Sequence, residues 1–298
     1  MSIPIANAMT VDLEDWFCVW NLRSVIRSED WERCELRIEK NTLRLLGLFE
    51  KHGVRATFFV LGWVAERVPG LIREIERRGH EIATHGYSHR PLIEMTAEDF
   101  DRDLRKAVEV TGRVTRQPIL GFRAPTFSLE ERTMWALDVL QENGIRYDSS
   151  MMPQGINPDY GVRGGGSGIL KIGPDFFEAA PTCVRLFGMK IPCGGGYFRL
   201  FPYGLMRFLL RRCEKRGLPI VFYIHPWEID PEQPRVRLSW LRRFRHYHNL
   251  EKTEARLERL LGDFRFTTLR NLLGLEETSD AREGEAGERS VSDRAVKT

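Results

Sequence analysis

The chain has 298 residues, of which 42% are hydrophobic and 29% are charged. This balance is typical of an ordinary globular protein and excludes fibrous, wholly disordered and membrane-embedded classes. The formal net charge is only +3, from 45 basic and 42 acidic side chains, so no overall electrostatic field favours nucleic acid as a partner.

Helical and strand patterns alternate along the first half of the chain. The sequence predicts strands at residues 5–11, 56–61, 81–84, 119–122 and 147, and helices at residues 42–50, 69–78, 97–111 and 129–142. Repeated strand–helix units with short connections indicate a parallel sheet covered by helices. The chain length suits one large α/β domain.

A glycine-rich stretch at residues 161–173 interrupts this alternation and is predicted to be a surface loop or insertion. The pattern then resumes with an apolar segment at 176–180, a helix near 203–215 and a strand at 218–224. Helical periodicity returns at 253–261. The polar stretch from residue 276 onward has no aromatic residue and is predicted to be a disordered tail.

The cysteines and the N-terminal residues indicate the cellular compartment of the protein. The five cysteines include no CxxC pair and are odd in number, which argues against a disulfide framework and against a zinc–thiolate site. Residues 1–9 lack a basic stretch followed by an apolar segment of signal-peptide length, and no later apolar run approaches the ~20 residues of a membrane span. These features predict a cytoplasmic protein.

Two histidines, His85 and His89, directly follow the predicted strand at 81–84. One helical turn would place both imidazoles on the same face, where they could hold a metal ion together. The pair alone is also compatible with ordinary surface or core histidines. A third ligand is therefore needed to support a metal site.

Three carboxylates, Asp12, Glu14 and Asp15, follow the first predicted strand. Like charges packed this closely are costly unless a cation or a shared proton relieves the repulsion, although an acidic turn or a helix cap is an alternative explanation. The carboxyl ends of parallel strands meet at one rim, so these carboxylates and the histidines are expected to converge. Two imidazoles, one carboxylate and open positions match a hydrolytic Zn²⁺ or Co²⁺ site.

Three further polar motifs occur where predicted strands end. They are Arg123-Ala124-Pro125, Asp148-Ser149-Ser150 and His225-Pro226-Trp227-Glu228. Each has an ordinary explanation by itself: a surface ion pair, a turn or cap, and a core histidine. Their common position at strand ends favours one shared site.

With these five motifs in this order, the sequence resembles the polysaccharide deacetylases with the NodB homology domain, carbohydrate esterase family 4. The resemblance covers roughly residues 6–228. The acidic-aromatic opening at residues 12–17, the glycine-rich insertion and residues 244–250 resemble the subgroup found with exosortase-type exopolysaccharide loci, which carries an extra C-terminal region. The implied fold is a distorted (β/α) barrel, expected to have seven parallel strands.

The resemblance also implies residue roles. Asp12 matches the catalytic base, and Arg123 matches the residue that orients this base. His85 and His89 match the metal-binding histidines, and His225 matches the general acid.

Two further assignments follow from the resemblance less directly. Asp148 would support the late histidine or the floor of the site. The opening departs from the family's usual adjacent aspartates or Asp-x-Asp, which leaves the third metal ligand between Asp15, the preferred candidate, and Glu14.

The predicted reaction is metal-dependent hydrolysis of an N-acetyl or similar acyl group on a polysaccharide or a sugar precursor. Pro125 and Thr126 are candidate substrate-binding residues, and the backbone N–H of Thr126 is a candidate donor to the developing oxyanion. The aromatic residues Trp16, Tyr197 and Trp227 are candidates to stack on sugar rings, with core packing as the alternative. Zn²⁺ is the expected metal and exopolysaccharide biosynthesis the expected role.

The predicted organisation is a deacetylase domain at residues 1–228, an extension packed on the barrel at 229–275 and a tail at 276–298. The basic and aromatic residues of 235–248 suggest diphosphate binding or peripheral membrane contact, with a solvated face as the alternative. The sequence leaves the oligomeric state open.

Two other functions are compatible with the sequence. One is hydrolysis of a non-carbohydrate linear or cyclic amide on the same barrel rim. The other is a non-catalytic glycan-binding protein, which only the unusual acidic opening supports.

Overall fold

The computed structural model describes residues 6–152, 168–186 and 189–275. Its centre is a curled, mostly parallel β-sheet. The strands are β1 (Asn7–Leu13), β2 (Ala56–Val60), β3 (Glu81–Thr84), β4 (Gly121–Phe122), β5 (Tyr147–Asp148), β6 (Gly168–Lys171), β7 (Phe177–Ala180), β8 (Cys183–Leu186), β9 (Met189–Pro192), β10 (Val221–Ile224) and β11 (Phe266–Thr267).

The strand order of the main sheet is β10-β1-β2-β3-β4-β5-β7-β6. The seven strands from β10 to β7 run parallel, and only the edge strand β6 runs antiparallel to its neighbour β7. The short β11 adds a parallel pairing at the start of β1. The predicted distorted barrel with seven parallel strands is thus confirmed as an open half-barrel, and β8 and β9 form a separate two-stranded antiparallel sheet.

Helices follow most of the parallel strands. They are α1 (Ile38–Lys51), α2 (Gly62–Arg67), α3 (Pro69–Arg77), α4 (Ala97–Gly112), α5 (Ala136–Glu142), α6 (Gly195–Leu200), α7 (Tyr203–Lys215), α8 (Trp240–Tyr247), α9 (Leu250–Asp263) and α10 (Leu269–Leu272). None of the helices in the described ranges is long and apolar enough to cross a membrane.

Strand β1 shows how the sequence positions functional groups. Side chains alternate between the two faces of a strand. Met9, Val11 and Leu13 pack into the main hydrophobic cluster, which also contains residues of α1, α7 and α9. Thr10 and Asp12 therefore project from the opposite face, toward the interior of the half-barrel, where both are buried.

The C-terminal region returns to this first strand. Residues 266–267 pair with β1, and Leu269 at the start of α10 donates its backbone N–H to the Thr57 hydroxyl in β2 at 2.8 Å. The Thr268 side chain caps α10 by accepting a hydrogen bond from the Asn271 N–H. The boundary between domain and extension at residue 228 remains a prediction.

Two predicted elements differ from the structure. Residues 168–171 of the glycine-rich stretch form strand β6 instead of a loop, while 161–167 lie outside the described residues. The predicted helix at 129–142 is shorter, because the Glu130 N–H donates to the Thr133 hydroxyl and closes a separate 3₁₀ turn at Glu131–Thr133 before α5 begins. The predicted tail from residue 276 also lies outside the described residues.

The buried His80 makes the stability of the fold sensitive to acid. Its Nδ1 accepts a hydrogen bond from the Ala56 N–H at 3.1 Å, so this nitrogen is unprotonated in the folded state. Burial lowers the pKa of His80 from 6.5 to about 4. Between pH 6.5 and pH 4 the unfolded chain therefore binds more protons at His80 than the folded protein does. The contribution of neutral His80 to the free energy of unfolding is lost as the pH falls through this range.

We expect His80→Asn, which keeps an acceptor near the Nδ1 position, to remove this titration. When the pH is lowered from 6.5 to 4, the free energy of unfolding of the wild-type protein should fall by up to about 3 kcal/mol more than that of the variant. Urea unfolding at several pH values measures the difference. Identical pH slopes for the two proteins would contradict the assignment.

Candidate metal centre and active site

The functional side chains lie at the carboxyl ends of neighbouring parallel strands. Asp12 is near the end of β1, His85 follows β3, Arg123 follows β4 and His225 follows β10. Ladder-type hydrogen bonds continue past the strand ends, from the His85 N–H to the Val60 carbonyl at 2.8 Å and from the Arg123 N–H to the Thr84 carbonyl at 3.0 Å. The predicted convergence at one rim is what the structure shows.

Three side chains at this rim could hold a metal ion. One ligand atom each from Glu14, His85 and His89 lies within 4.8 Å of the others, and all three residues are buried. The Nδ1 of His85 donates to the Arg123 carbonyl at 2.8 Å, because a carbonyl can only accept. The Nε2 of His85 therefore keeps its lone pair for a metal.

The Glu14 carboxylate supports a cation at this position. Its Oε2 lies 2.6 Å from His89 Nε2, and within the described residues no other donor contacts this buried oxygen. A buried acceptor of this kind is costly unless another group satisfies it. Two imidazoles and a carboxylate are a donor set suited to a divalent metal such as Zn²⁺.

The pKa values of these groups agree with ligand roles. Burial by itself would raise the pKa of Glu14, but the neighbouring histidines, above all His89, lower it to about 2. Burial lowers the pKa of His85 to about 4. Near neutral pH the carboxylate is thus ionised and His85 is neutral, as metal coordination requires.

The preference for Asp15 as third ligand requires correction in favour of Glu14. Asp15 accepts hydrogen bonds from the backbone N–H groups of Trp16, Arg37 and Ile38 at 2.8, 2.8 and 3.0 Å. Since α1 begins at Ile38, this carboxylate satisfies donors at the helix start. Burial raises the pKa of Asp15 to about 6, although these hydrogen bonds oppose the rise.

The connection between the two histidines also differs from the expected helical turn. Residues 85–89 form a loop in which Gly86 and His89 have positive φ values of 72° and 57°. The Asp103 carboxylate on α4 accepts hydrogen bonds from the N–H groups of Tyr87 and Ser88 at 2.8 and 3.1 Å. The loop thereby brings the imidazoles together, with ring centroids 5.3 Å apart.

Arg123 is fully buried and joins three strands. Its guanidinium donates to Asp12 Oδ1 at 2.6 Å, to the Thr10 hydroxyl at 2.8 Å and to the carbonyl and hydroxyl of Ser149 at 3.0 and 2.7 Å. The cation also lies 4.1 Å from the centre of the Phe59 ring. This network fixes the Asp12 carboxylate beside the candidate metal group, as expected for a residue that orients a base.

His225 also lies close to Asp12 and Glu14. Its Nε2 lies 3.6 Å from Asp12 Oδ2 and 3.5 Å from Glu14 Oε1, and its Nδ1 contacts Glu228 Oε2 at 2.9 Å. Burial alone would lower the pKa of His225, but the hydrogen bond and charge of Glu228, together with Glu14 and Asp12, raise it to about 9.

Glu228 and Arg199 are site residues that sequence reasoning missed. Arg199 Nε donates to Glu228 Oε1 at 2.8 Å, and both side chains are buried. Glu228 thus holds His225 and is itself held by a cation. Its position three residues after His225, in a motif already noted at a strand end, was the available signal.

Asp148 does not hold His225. It is fully buried, is hydrogen-bonded to Glu178 and accepts hydrogen bonds from the N–H and hydroxyl of Ser150. Burial raises the pKa values of both carboxyls, and the adjacent Asp148 charge raises that of Glu178 further. Because the Ser150 hydroxyl also accepts from the Ala124 N–H at 2.7 Å, Asp148 supports the backbone beside Arg123 from behind the site.

A cavity of about 450 Å³ opens onto these groups. Of the predicted substrate-binding residues, Thr126, Tyr197 and Trp227 line it. Trp16 and Pro125 do not. Its lining also includes Asp12, Glu14, His85, His89, His225, Glu228, Trp20, Phe127, Arg199, Tyr223, Phe244, Arg245 and His248.

The two predicted residues outside the lining have other roles. Trp16 packs edge-on against Phe17 at 5.6 Å, and its indole N–H donates to the Glu35 carbonyl, so it belongs to the core. Pro125 is buried, and its carbonyl accepts the Ser128 hydroxyl at 2.7 Å. By contrast, the buried Thr126 hydroxyl has no hydrogen-bond partner among the described residues, and its backbone has a positive φ of 59°.

Comparison with known proteins shows which families two parts of the chain match. The polysaccharide deacetylase family model matches residues 31–147, and a domain of unknown function, DUF3473, matches residues 149–274. His85, His89 and Arg123 fall in the first match and His225 in the second. Over residues 31–147 the chain is therefore similar to the polysaccharide deacetylases, which confirms the resemblance predicted from its motifs.

Individual relatives agree with this assignment. Peptidoglycan deacetylase of Helicobacter pylori is 36% identical over 124 residues, which cover 42% of this chain and 41% of that protein. Peptidoglycan-N-acetylglucosamine deacetylase of Bacillus cereus is 32% identical over 120 residues, covering 36% of this chain and 44% of that protein. The chain thus spans less than half the length of these curated relatives.

A solved structure extends the similarity in fold over most of the chain. The crystal structure of a Mycobacterium smegmatis protein assigned to the polysaccharide deacetylases matches with a TM-score of 0.55 and 20% sequence identity, over 91% of both chains. At this identity the match shows a common fold.

The corrected ligand set predicts opposite phenotypes for two adjacent carboxylates. Glu14→Gln removes an anionic ligand of the metal. Mutating a residue that only hydrogen-bonds to a metal ligand weakens metal binding by ~10- to 100-fold, so loss of the ligand itself should weaken Zn²⁺ binding by more than that. Asp15→Asn should leave the affinity nearly unchanged but lower the unfolding free energy by about 1–2 kcal/mol, because three N–H donors lose their carboxylate.

Isothermal titration with Zn²⁺ and urea unfolding of both variants measure these effects. Loss of metal binding in Asp15→Asn together with retained binding in Glu14→Gln would restore Asp15 as the ligand.

Proposed function

We propose that this protein is a metal-dependent carbohydrate deacetylase that removes N-acetyl or similar acyl groups from a glycan. One observation carries the proposal: the Glu14, His85 and His89 group lies beside Asp12 and His225 at a single cavity. A divalent metal bound there, with Zn²⁺ as the proposed ion, would polarise the acyl oxygen and lower the pKa of water.

Asp12 is proposed to accept the proton of the attacking water. One of its oxygens is held by Arg123 at 2.6 Å, and the other faces the cavity side toward His225. The hydrogen bond from Arg123 therefore holds the carboxylate in one orientation. A positioned base of this kind typically contributes ~10²- to 10⁴-fold to the rate.

His225 is proposed to protonate the departing nitrogen. Its Nδ1 is bound by Glu228, which leaves the Nε2 proton directed toward the Asp12 and Glu14 oxygens. The imidazolium is stabilised by Glu228, whose own charge is compensated by Arg199. The proposed acid and base thus lie close together at one cavity, with His225 Nε2 3.6 Å from Asp12 Oδ2.

Substrate binding is proposed to use the cavity wall. Tyr197 and Trp227 line it, and Tyr197 is the proposed ring for sugar stacking, because Trp227 is buried and stacks on His246. The left-handed backbone at Thr126 presents a hydroxyl without a hydrogen-bond partner among the described residues. The named activities of the Helicobacter and Bacillus relatives, on peptidoglycan, support an N-acetylated glycan as the substrate class. A sugar precursor, a cytoplasmic location and a role in exopolysaccharide biosynthesis are parts of the proposal that rest on the sequence alone.

The primary test is acetate release from N-acetylglucosamine oligosaccharides, measured with and without a chelator. We expect turnover that the chelator abolishes and Zn²⁺ or Co²⁺ restores. Turnover that persists in the chelator would refute the metal mechanism.

Matched variants separate metal binding from proton transfer. His85→Ala should lose both the metal and activity. Asp12→Asn should retain the metal and lose about 10²- to 10⁴-fold in kcat. An Asp12→Asn variant with normal turnover would exclude Asp12 as the base.

Glu228 is expected to act as a positioning residue for His225. Glu228→Gln should lower kcat by about 10²-fold, because the imidazolium loses its carboxylate partner, while KM and metal content stay unchanged. Glu232→Gln is the control, since the Glu232 side chain is 73% exposed. A fall in metal content, or a melting transition already lost at the assay temperature, would indicate a purely structural role instead.

A further inference from the structure

Helix α8 exposes an unusual run of apolar side chains. Trp240, Leu241 and Phe244 are 79%, 42% and 43% exposed, and all six residues from 240 to 245 are solvent-exposed. Only the end of the helix is anchored, through the buried residues His246 and Tyr247. At 100° per residue, the three apolar side chains lie on one arc of the helix. Contiguous exposed apolar surface of this kind marks an interaction site.

The same surface carries uncompensated positive charge. Residues 235–250 contain no acidic residue. Within the described residues, no carboxylate forms an ion pair with the five arginines of this segment, namely Arg235, Arg237, Arg242, Arg243 and Arg245. Arginines elsewhere on the surface behave differently. Arg102 and Arg105 on α4, and Arg113 directly after it, each pair with a carboxylate on that helix.

This surface borders the mouth of the active-site cavity. Phe244, Arg245 and His248 line the cavity, and Arg242 reaches across to the Ser24 hydroxyl at 2.6 Å. Nearby Val25 is 48% exposed. The apolar and basic surface therefore surrounds one side of the cavity opening.

Buried contacts fix α8 to the catalytic groups. Trp227 stacks on His246 with ring centroids 4.7 Å apart and an interplanar angle of 14°. The Arg199 guanidinium, which holds Glu228, also donates to the carbonyls of Arg245, His246 and His248 at 3.1, 2.9 and 2.9 Å. A body that docks on the outer face of α8 would thus be held at a fixed position relative to the cavity.

We propose that α8 and its flanking arginines dock this protein on an anionic lipid bilayer. Tryptophan and other large apolar side chains insert at the interface, and arginines are drawn to anionic headgroups, each worth about fivefold in partitioning. The positive charge favours this occupant over a neutral apolar partner. The docked orientation presents the cavity opening to a glycan held at the bilayer surface. Only this last statement rests on the proposed function.

Flotation with lipid vesicles tests the docking without any reference to activity. The purified full chain is mixed with vesicles of phosphatidylcholine alone, or of equal parts phosphatidylcholine and phosphatidylglycerol. We expect binding to the anionic vesicles only, and a decrease with added salt. Absence of binding to the anionic vesicles at low salt would overturn the proposal.

Two variants identify the surface. Trp240→Ala/Leu241→Ala and Arg242→Gln/Arg243→Gln should each reduce partitioning at least about tenfold. Neither pair lines the cavity, so acetate release from a short soluble glycan should be unchanged. Phe208→Ala/Arg212→Gln is the matched control, since Phe208 is a 58% exposed aromatic with an arginine 5.8 Å from its ring centre, and it should bind like wild type.

Two results would overturn the assignment. Equal loss of binding in the control would mean that any exposed aromatic–arginine pair suffices. A wild-type dimer that Trp240→Ala/Leu241→Ala converts to monomer in sedimentation, without a change in vesicle binding, would assign the surface to a second copy of the chain.

Discussion

The site depends on the buried contacts of Arg123 at the top of the sheet. A cation without exposed surface is stable only where its charge and its donors are satisfied, and here Asp12, Thr10 and Ser149 satisfy them from two other strands. The backbone carbonyl of Arg123 also accepts a hydrogen bond from the Nδ1–H of His85. One residue therefore fixes the orientation of the proposed base and the tautomer of a proposed metal ligand.

Two further pairs of buried charged or carboxyl side chains support the site, one beside Arg123 and one beside His225. Below Arg123, the proton-sharing carboxyls of Asp148 and Glu178 support the backbone through Ser150. Across the cavity, Arg199 compensates Glu228, which holds His225, and ties both to α8. Charged groups at this rim are thus paired, and within the described residues no donor other than His89 Nε2, 2.6 Å away, contacts the buried Glu14 Oε2. A cation shared by these two atoms would satisfy both.

Much of this arrangement could be predicted from the sequence, since strand ends are visible in the hydrophobic pattern and the carboxyl ends of parallel strands must share a rim. Asp12, His85, His89, Arg123 and His225 converge for that reason. The choice between Glu14 and Asp15 could not be predicted, because both follow the strand and their directions depend on the turn after Leu13 and on the distant start of α1. The acidic opening that suggested a non-catalytic relative is accounted for by these two separate roles.

The spacing of three residues between His225 and Glu228 was visible in the sequence, but the choice between Glu228 and Asp148 depends on a short 3₁₀ turn that brings Glu228 back to the imidazole, while Asp148 turns toward Glu178. The central claim, that Glu14, His85 and His89 share one divalent cation next to Asp12 and His225, is tested most directly by anomalous diffraction at the zinc edge from crystals grown with Zn²⁺. We expect a single strong peak in the anomalous difference map, contacted by Glu14 and both histidines. A peak at Asp15, or none between the two imidazoles, would contradict it.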